Sequence, residues 1–201
     1  MNQIAPIPRS SDHAVDPLFL ERWSPRAFDG AAVSEETLLT ILEAAHWAPS
    51  AFNAQPWRFV YAVKGTPDWD RLFGLLAPFN QGWAASAGAL VFIFSKTHFA
   101  APGSAEEKPS HSHSFDAGAA WGLLALQARL LGLYAHGMTG IHFAAVAGAL
   151  GLTEGYRIEA AAAIGAIGDK AQLPEGLQAR ETPSPRRPLA EVVFKGAFPA
   201  A

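Results

Sequence analysis

From Ala89 to Phe94 the chain runs through six consecutive apolar residues, Ala-Leu-Val-Phe-Ile-Phe. A run of that length fits a strand covered on both faces, so the rest of the chain must supply layers for both sides of it. Trp57 to Val63 alternates Trp57, Phe59, Tyr61 and Val63 against Arg58, Val60 and Ala62, the period of a second strand. Arg157 to Ile167 reads as a central strand, because Gly165 and Gly168 argue against the helix its alanines would prefer. Leu189 to Phe194 reads as a last strand.

Helical signals lie between these runs. Ser34 can cap a helix whose first turn carries Glu35 and Glu36, and Val33 can staple onto Leu38. Leu38, Ile41, Leu42 and Ala45 share one face, and Pro49 stops the helix. Thr66-Pro67-Asp68 opens another, with Trp69, Leu72, Phe73 and Leu76 as its stripe. Asp116 to Leu133 is apolar on most faces and rich in Ala and Gly, which calls for burial on nearly all sides. Ala144 to Leu150 forms a shorter helix ended by Gly151. His98 to Ser114 is polar and reads as a mobile loop or lid, and residues 1–16 as a flexible N-terminal arm. The fold class is α+β, with one domain over 1–201. Asp169 to Pro188 is long for a connection inside a compact domain, so a path across another subunit is expected.

Composition narrows the function. A net charge of −3 draws the chain to neither nucleic acid nor anionic lipid. The absence of cysteine removes disulfides, thiolate catalysis and Cys-ligated metals, and fits a reducing cytoplasm. No signal peptide or membrane span is expected, since Ala117 to Ala135 is interrupted by Gln127 and Arg129. His111 and His113 lack a third metal ligand, and Ser24, Ser50 and Ser86 lack a His/Asp context for nucleophilic catalysis.

Two clusters carry chemistry. Arg22-Trp23-Ser24-Pro25-Arg26 offers two guanidinium groups and a hydroxyl, a set suited to a phosphate. Loop arginines are more often solvated or salt-bridged, so this segment alone does not decide. Pro49-Ser50-Ala51-Phe52-Asn53-Ala54-Gln55-Pro56-Trp57 places Ser50, Asn53 and Gln55 where they can match the polar edge of a flat heterocycle, or simply form a polar turn.

In this order and spacing the clusters resemble the amino-terminal signature of the FMN-dependent nitroreductase family. The likeness continues through Asn80-Gln81-Gly82-Trp83, Gly137-Met138-Thr139-Gly140, Leu152 to Tyr156 and Pro185 to Val193, covering roughly Leu18 to Phe194. The resemblance implies a central mixed or antiparallel sheet flanked by helices, with the C-terminal segment extending onto a partner subunit. It implies that Arg22, Trp23, Ser24 and Arg26, joined by Arg186 or Arg187, hold the FMN phosphate and ribityl chain. Ser50, Ala51, Asn53 and Gln55 would approach the flavin, partly from the partner, and Asn80 would bond the pyrimidine end of the ring. Met138, Thr139 and Gly140 would pass along one flavin face with a backbone amide at N5. Trp83 stands where some members carry a flavin-facing lysine, and Thr139 where some carry an acid.

The same resemblance implies a homodimeric ping-pong oxidoreductase. NADH or NADPH would reduce FMN, a nitroaromatic, quinone or similar acceptor would reoxidise it, and no side chain would act as acid or base. Two rival readings share the fold: a flavin-handling protein, favoured if Trp83 fills the nicotinamide pocket, and a specialised chemistry such as reductive dehalogenation or flavin destruction.

Overall fold

The computed structural model describes residues 9–199. Its helices are α1 (Pro17–Glu21), α2 (Glu35–His46), α3 (Pro67–Gly74), α4 (Pro78–Ala84), α5 (His113–Leu130), α6 (Phe143–Ala149) and α7 (Glu175–Gln178). Its strands are β1 (Trp57–Val63), β2 (Ala89–Lys96), β3 (His98–Ala100), β4 (Glu107–Pro109), β5 (Tyr134–Met138) and β6 (Tyr156–Gly165). Four of them form a sheet in the order β1-β2-β6-β5, and every neighbouring pair is antiparallel.

Position in the sheet explains the apolar run. On β2, Ala89 to Ser95 are all buried, because the strand is central and both its faces are roofed. Val91 and Ile93 point to one side, where they meet Leu38 and Ile41 of α2 and Leu124 and Ala128 of α5. Leu90, Phe92 and Phe94 point to the other, into a cluster with Leu72 of α3, Trp83 of α4 and Val146 of α6. Each fully buried side chain of this size contributes about 1.5–3 kcal/mol, so the two-sided core dominates the stabilisation of the sheet. Ser34 caps α2 as expected, its Oγ accepting from the Thr37 amide at 3.1 Å. Thr66 precedes α3, but its hydroxyl donates back to the Val63 carbonyl at 2.7 Å instead of capping.

Several expectations are corrected. Leu189 to Phe194 is not a strand: after Pro188 it makes only a short 3-10 turn, Leu189–Glu191, because it hydrogen-bonds to no sheet edge. The expected loop 98–114 contains the paired strands β3 and β4 and the first residues of α5, which begins at His113 rather than Asp116. The sequence reading missed β5 and the helices α1, α4 and α7. The expected N-terminal arm lies outside the described residues as far as position 8. From Arg9 onward it is fastened to the body, the Arg9 guanidinium donating to the carbonyls of Leu20, Arg22 and Ser184.

Candidate active site

Where α5 crosses the sheet beside edge strand β5, small side chains leave a cleft of about 590 Å³, the size of small-molecule sites (roughly 300–1,000 Å³). Ala117, Gly118, Gly122 and Ala125 of α5 form one wall; Gly137, Met138 and Thr139 form the other, with Ile93, Glu159 and Ala160 between them. The wall is set by close approach. A Cβ on Gly137 would lie 2.9 Å from the Trp121 ring, so only glycine lets β5 pass beneath that side chain.

At one end of the cleft stand Arg22 and Ser24. Arg22 follows α1 in an extended conformation and its side chain is half-buried. Burial, and secondarily the positive field of Arg186, lower its pKa; Arg186 itself lines a neighbouring hollow and not the cleft. Arg9 shows the same depression, from burial first and then Arg186 and Arg22. Arg187 lines the adjoining surface hollow with Arg9 and Arg186. Among the described residues none of these four arginines pairs with a carboxylate. Arg26 is different. It faces Glu181 at 3.9 Å, and Glu181 also accepts from the amides of Arg26 and Ala27 at 2.6 and 2.8 Å. Trp23 is buried and meets Tyr134 edge-on at 6.1 Å, a packing role beneath the cleft.

The far end carries a cluster the sequence reading missed. On β6, Ala160 pairs with Ile93 and Ile158 with Phe94, so Glu159 is an unpaired bulge residue and its carboxylate turns into the cleft. Glu159 Oε1 accepts from Ser95 at 2.5 Å and from Ser114 at 2.7 Å. With Ser95's only proton committed there, His113 Nδ1, 2.7 Å away, is the donor to Ser95 Oγ. Arg157 lies 3.6 Å from the other carboxylate oxygen. One signal was available: Glu159 is a lone acid within an otherwise apolar run, Ile158 to Ile164. Arg129 of α5 pairs with Glu21, next to Arg22, at 2.8 Å, whereas Ser114 lies in the first turn of the same helix. At 1.5 Å per residue the two ends are on the order of 20 Å apart.

Other expected residues are elsewhere. Ser50, Ala51, Asn53 and Gln55 do not line the cleft within one chain; the Ala51 amide donates to Asp116 at 3.2 Å and the Gln55 amide to Ser50 Oγ at 3.0 Å. That loop is strained, with Phe52, Asn53 and Gln55 at φ of 52, 53 and 46°. Asn80, expected to bond a ring, is buried and occupied: Nδ2 donates to the Gly140 carbonyl at 2.9 Å and Oδ1 accepts from Trp83 Nε1 at 3.2 Å. Trp83, expected on the pocket wall, is 2% exposed and packs between Phe28 and His136 in the core. Gly140 sits behind Thr139, where a Cβ would come within 2.5 Å of Asn80 Nδ2. His136 Nδ1 donates to the Pro25 carbonyl at 2.9 Å, and burial lowers its pKa.

The family model that matches the chain is the nitroreductase family, over residues 20–67 and 64–166. YdgI of Bacillus subtilis, named as an NAD(P)H nitroreductase, is 40% identical over 75 residues, which cover 37% of this chain and 35% of that protein. A Streptomyces coelicolor protein named as an NADH dehydrogenase/NAD(P)H nitroreductase is 33% identical over 93 residues, 46% of each chain. The chain thus aligns with between a third and a half of the length of these sequence relatives. Among solved structures, an oxidoreductase containing FMN superposes with a TM-score of 0.92 at 54% identity, over 96% of this chain and 97% of that one. A Desulfovibrio desulfuricans nitroreductase in complex with FMN superposes with a TM-score of 0.69 at 28% identity, over 92% and 100%.

Proposed function

The chain belongs to the nitroreductase family, and from that premise we propose that it is an FMN-dependent NAD(P)H oxidoreductase that reduces nitroaromatics, quinones or similar small-molecule acceptors. The observation that carries this reading is Arg22 on the cleft, its backbone tied through Arg9 to the segment that carries Arg186, with no carboxylate among the described residues pairing with either arginine. A phosphate monoester brings close to two negative charges and acceptor oxygens, which is what such a cluster lacks. The cleft's dimensions and the close approach at Gly137 suit a flat, elongated ligand whose phosphate lies at the arginine end.

FMN, when bound, supplies the hydride chemistry between NAD(P)H and the acceptor, in alternate ping-pong turns. The protein's own part is to bind and orient. Arg22 and Ser24 would hold the phosphate end, with Arg186 from the neighbouring hollow; Met138 and Thr139 would furnish a backbone wall along the ring, and Ala117, Gly118 and Gly122 would leave room for it. Glu159, its Oε1 fixed by two serine hydroxyls, holds a negative charge at the far end and disfavours anionic ring substituents there.

The working unit in this proposal is a homodimer. Supporting it, Phe115, Leu130, Val192, Val193 and Phe198 are exposed on the single chain, large apolar side chains that a second subunit would cover. The loop Ser50 to Gln55 of a second copy would then complete the cleft, which accounts for its keeping three left-handed residues. A cytoplasmic location is part of the same proposal; separately, among the described residues no helix is long and apolar enough to cross a membrane.

The flavin-handling alternative drew its support from Trp83 as a pocket-filling side chain, and that tryptophan is in the core. The test is a visible spectrum of the purified protein followed by anaerobic titration with NADH and with NADPH. We expect a yellow protein bleached by one of the two. A protein that takes up no FMN overturns the proposal, and one bleached only by dithionite returns it to flavin handling.

A further inference from the structure

Arg9 stands thirteen residues before Arg22, outside every motif that carries the family likeness. Its guanidinium nonetheless bridges segments from opposite ends of the chain. Nε donates to the Ser184 carbonyl at 2.9 Å, across 175 positions of sequence. NH1 donates to the carbonyls of Leu20 at 3.0 Å and Arg22 at 2.9 Å. The same Ser184 carbonyl also accepts from Arg186 NH1 at 3.4 Å. One side chain therefore ties the backbone that carries Arg22 to the backbone that carries Arg186.

We infer that Arg9 is a positioning residue for the phosphate end of the cleft, a clip that holds Arg22 and Arg186 against each other until an anion arrives. The inference rests on the FMN reading above. Its physical basis is that the half-buried Arg22 and the exposed Arg186 carry like charges that repel, and no carboxylate among the described residues pairs with either. The segment around Ser184 has little else to hold it. Arg186 and Arg187 are exposed, Arg186 otherwise bonds, among the described residues, only to Pro185 beside it, and the segment has no place in the sheet. Without the clip, the C-terminal segment is free to swing Arg186 away and relieve the repulsion. The planar five-donor fork of arginine reaches three carbonyls on two segments at once, and the compact ammonium of lysine does not reproduce that geometry. Arg9 itself adds a third positive charge behind the pair, but three of its five N–H donors, those on Nε and NH1, are spent on the carbonyls of the segments carrying Arg22 and Arg186, so its role is to place the other two.

The experiment compares FMN with riboflavin, which lacks the phosphate, on wild type, Arg9→Gln and Arg9→Lys, by quenching of flavin fluorescence on binding. For wild type we expect FMN to bind far more tightly than riboflavin. For Arg9→Gln we expect FMN affinity to fall at least tenfold while riboflavin affinity stays within twofold, and for Arg9→Lys a loss of FMN affinity nearly as large. Equal losses for both flavins in Arg9→Gln would mean general loosening of the fold and would overturn the inference. Full recovery of FMN binding in Arg9→Lys would also overturn it, by showing that charge alone suffices. Wild type that fails to prefer FMN over riboflavin would be a different failure, that of the phosphate site itself.

Discussion

The two ends of the cleft are both built from charged and hydroxyl side chains, yet they are resolved in opposite ways. At the Glu159 end each charge has company: two serine hydroxyls and a histidine are chained to the carboxylate, and Arg157 stands 3.6 Å from its second oxygen. At the Arg22 end like charges lie near one another, and the partners of Arg9 and Arg186 among the described residues are backbone carbonyls. A self-satisfied network sets shape and field and needs no ligand to be stable. An uncompensated cluster is held together against its own repulsion, and it points to an anion that completes it. Arg26 sharpens the contrast, since it lies in the same motif as Arg22 but faces Glu181.

Substitutions can break or refine this contrast. The largest effect is expected from Arg22→Ala, which should weaken FMN binding by roughly 30- to 100-fold, the equivalent of about 2–3 kcal/mol for a charged hydrogen bond, and leave riboflavin nearly unchanged. Fluorescence titration with the two flavins measures this, and equal losses would erase the distinction between the ends. Next comes the wall the ends share. Gly137→Ala puts a methyl 2.9 Å from Trp121 and should cost about 1–3 kcal/mol, read as a fall of several degrees in Tm; an unchanged Tm would show that Trp121 yields freely.

Glu159→Gln should act more gently and in the other direction. The amide oxygen keeps the Ser95 and Ser114 bonds while the charge goes, so an aromatic carboxylate competing for the ring end should bind a few-fold more tightly, about 0.5–1 kcal/mol. FMN affinity should barely move; a loss comparable to that of Arg22→Ala would place Glu159 at the phosphate instead.

The smallest effect concerns His136, packed behind the arginine end against Trp83 and the Pro25 carbonyl. Burial, with Arg26 as a lesser contributor, depresses its pKa in the folded state. The unfolded chain therefore takes up a proton first as pH falls below about 6.5, and stability present above that pH is lost on acidification. Urea unfolding of wild type and His136→Gln between neutrality and pH 5 should show a shallower decline in the variant. Parallel declines would mean that His136 charges as easily folded as unfolded.

Legibility in the sequence followed how local the cause was. The strands β1 and β2, the cap at Ser34 and the arginine motif depend on neighbours in the chain, and all could be read from it. Strand β5 could not: Tyr134-Ala-His-Gly-Met138 has no clear alternation, and it is a strand only because β6 offers it an edge. The converse holds for Leu189 to Phe194, expected as a last strand, which finds no sheet edge among the described residues. Asn80 and Trp83 were legible as a motif but not as a role, since only packing shows their polar groups bonded to each other and to Gly140.

By itself, the order of residues determined an α+β chain around a doubly covered strand, and a guanidinium motif suited to phosphate, because periodicity and side-chain chemistry act over a few residues. Only the tertiary structure decided which guanidinium groups meet. Arg22, Arg186 and Arg9 are joined through carbonyls up to 175 positions apart, while Arg26, four residues from Arg22, is drawn off by Glu181. Long-range convergence is a matter of how the backbone closes on itself, and no local pattern encodes it.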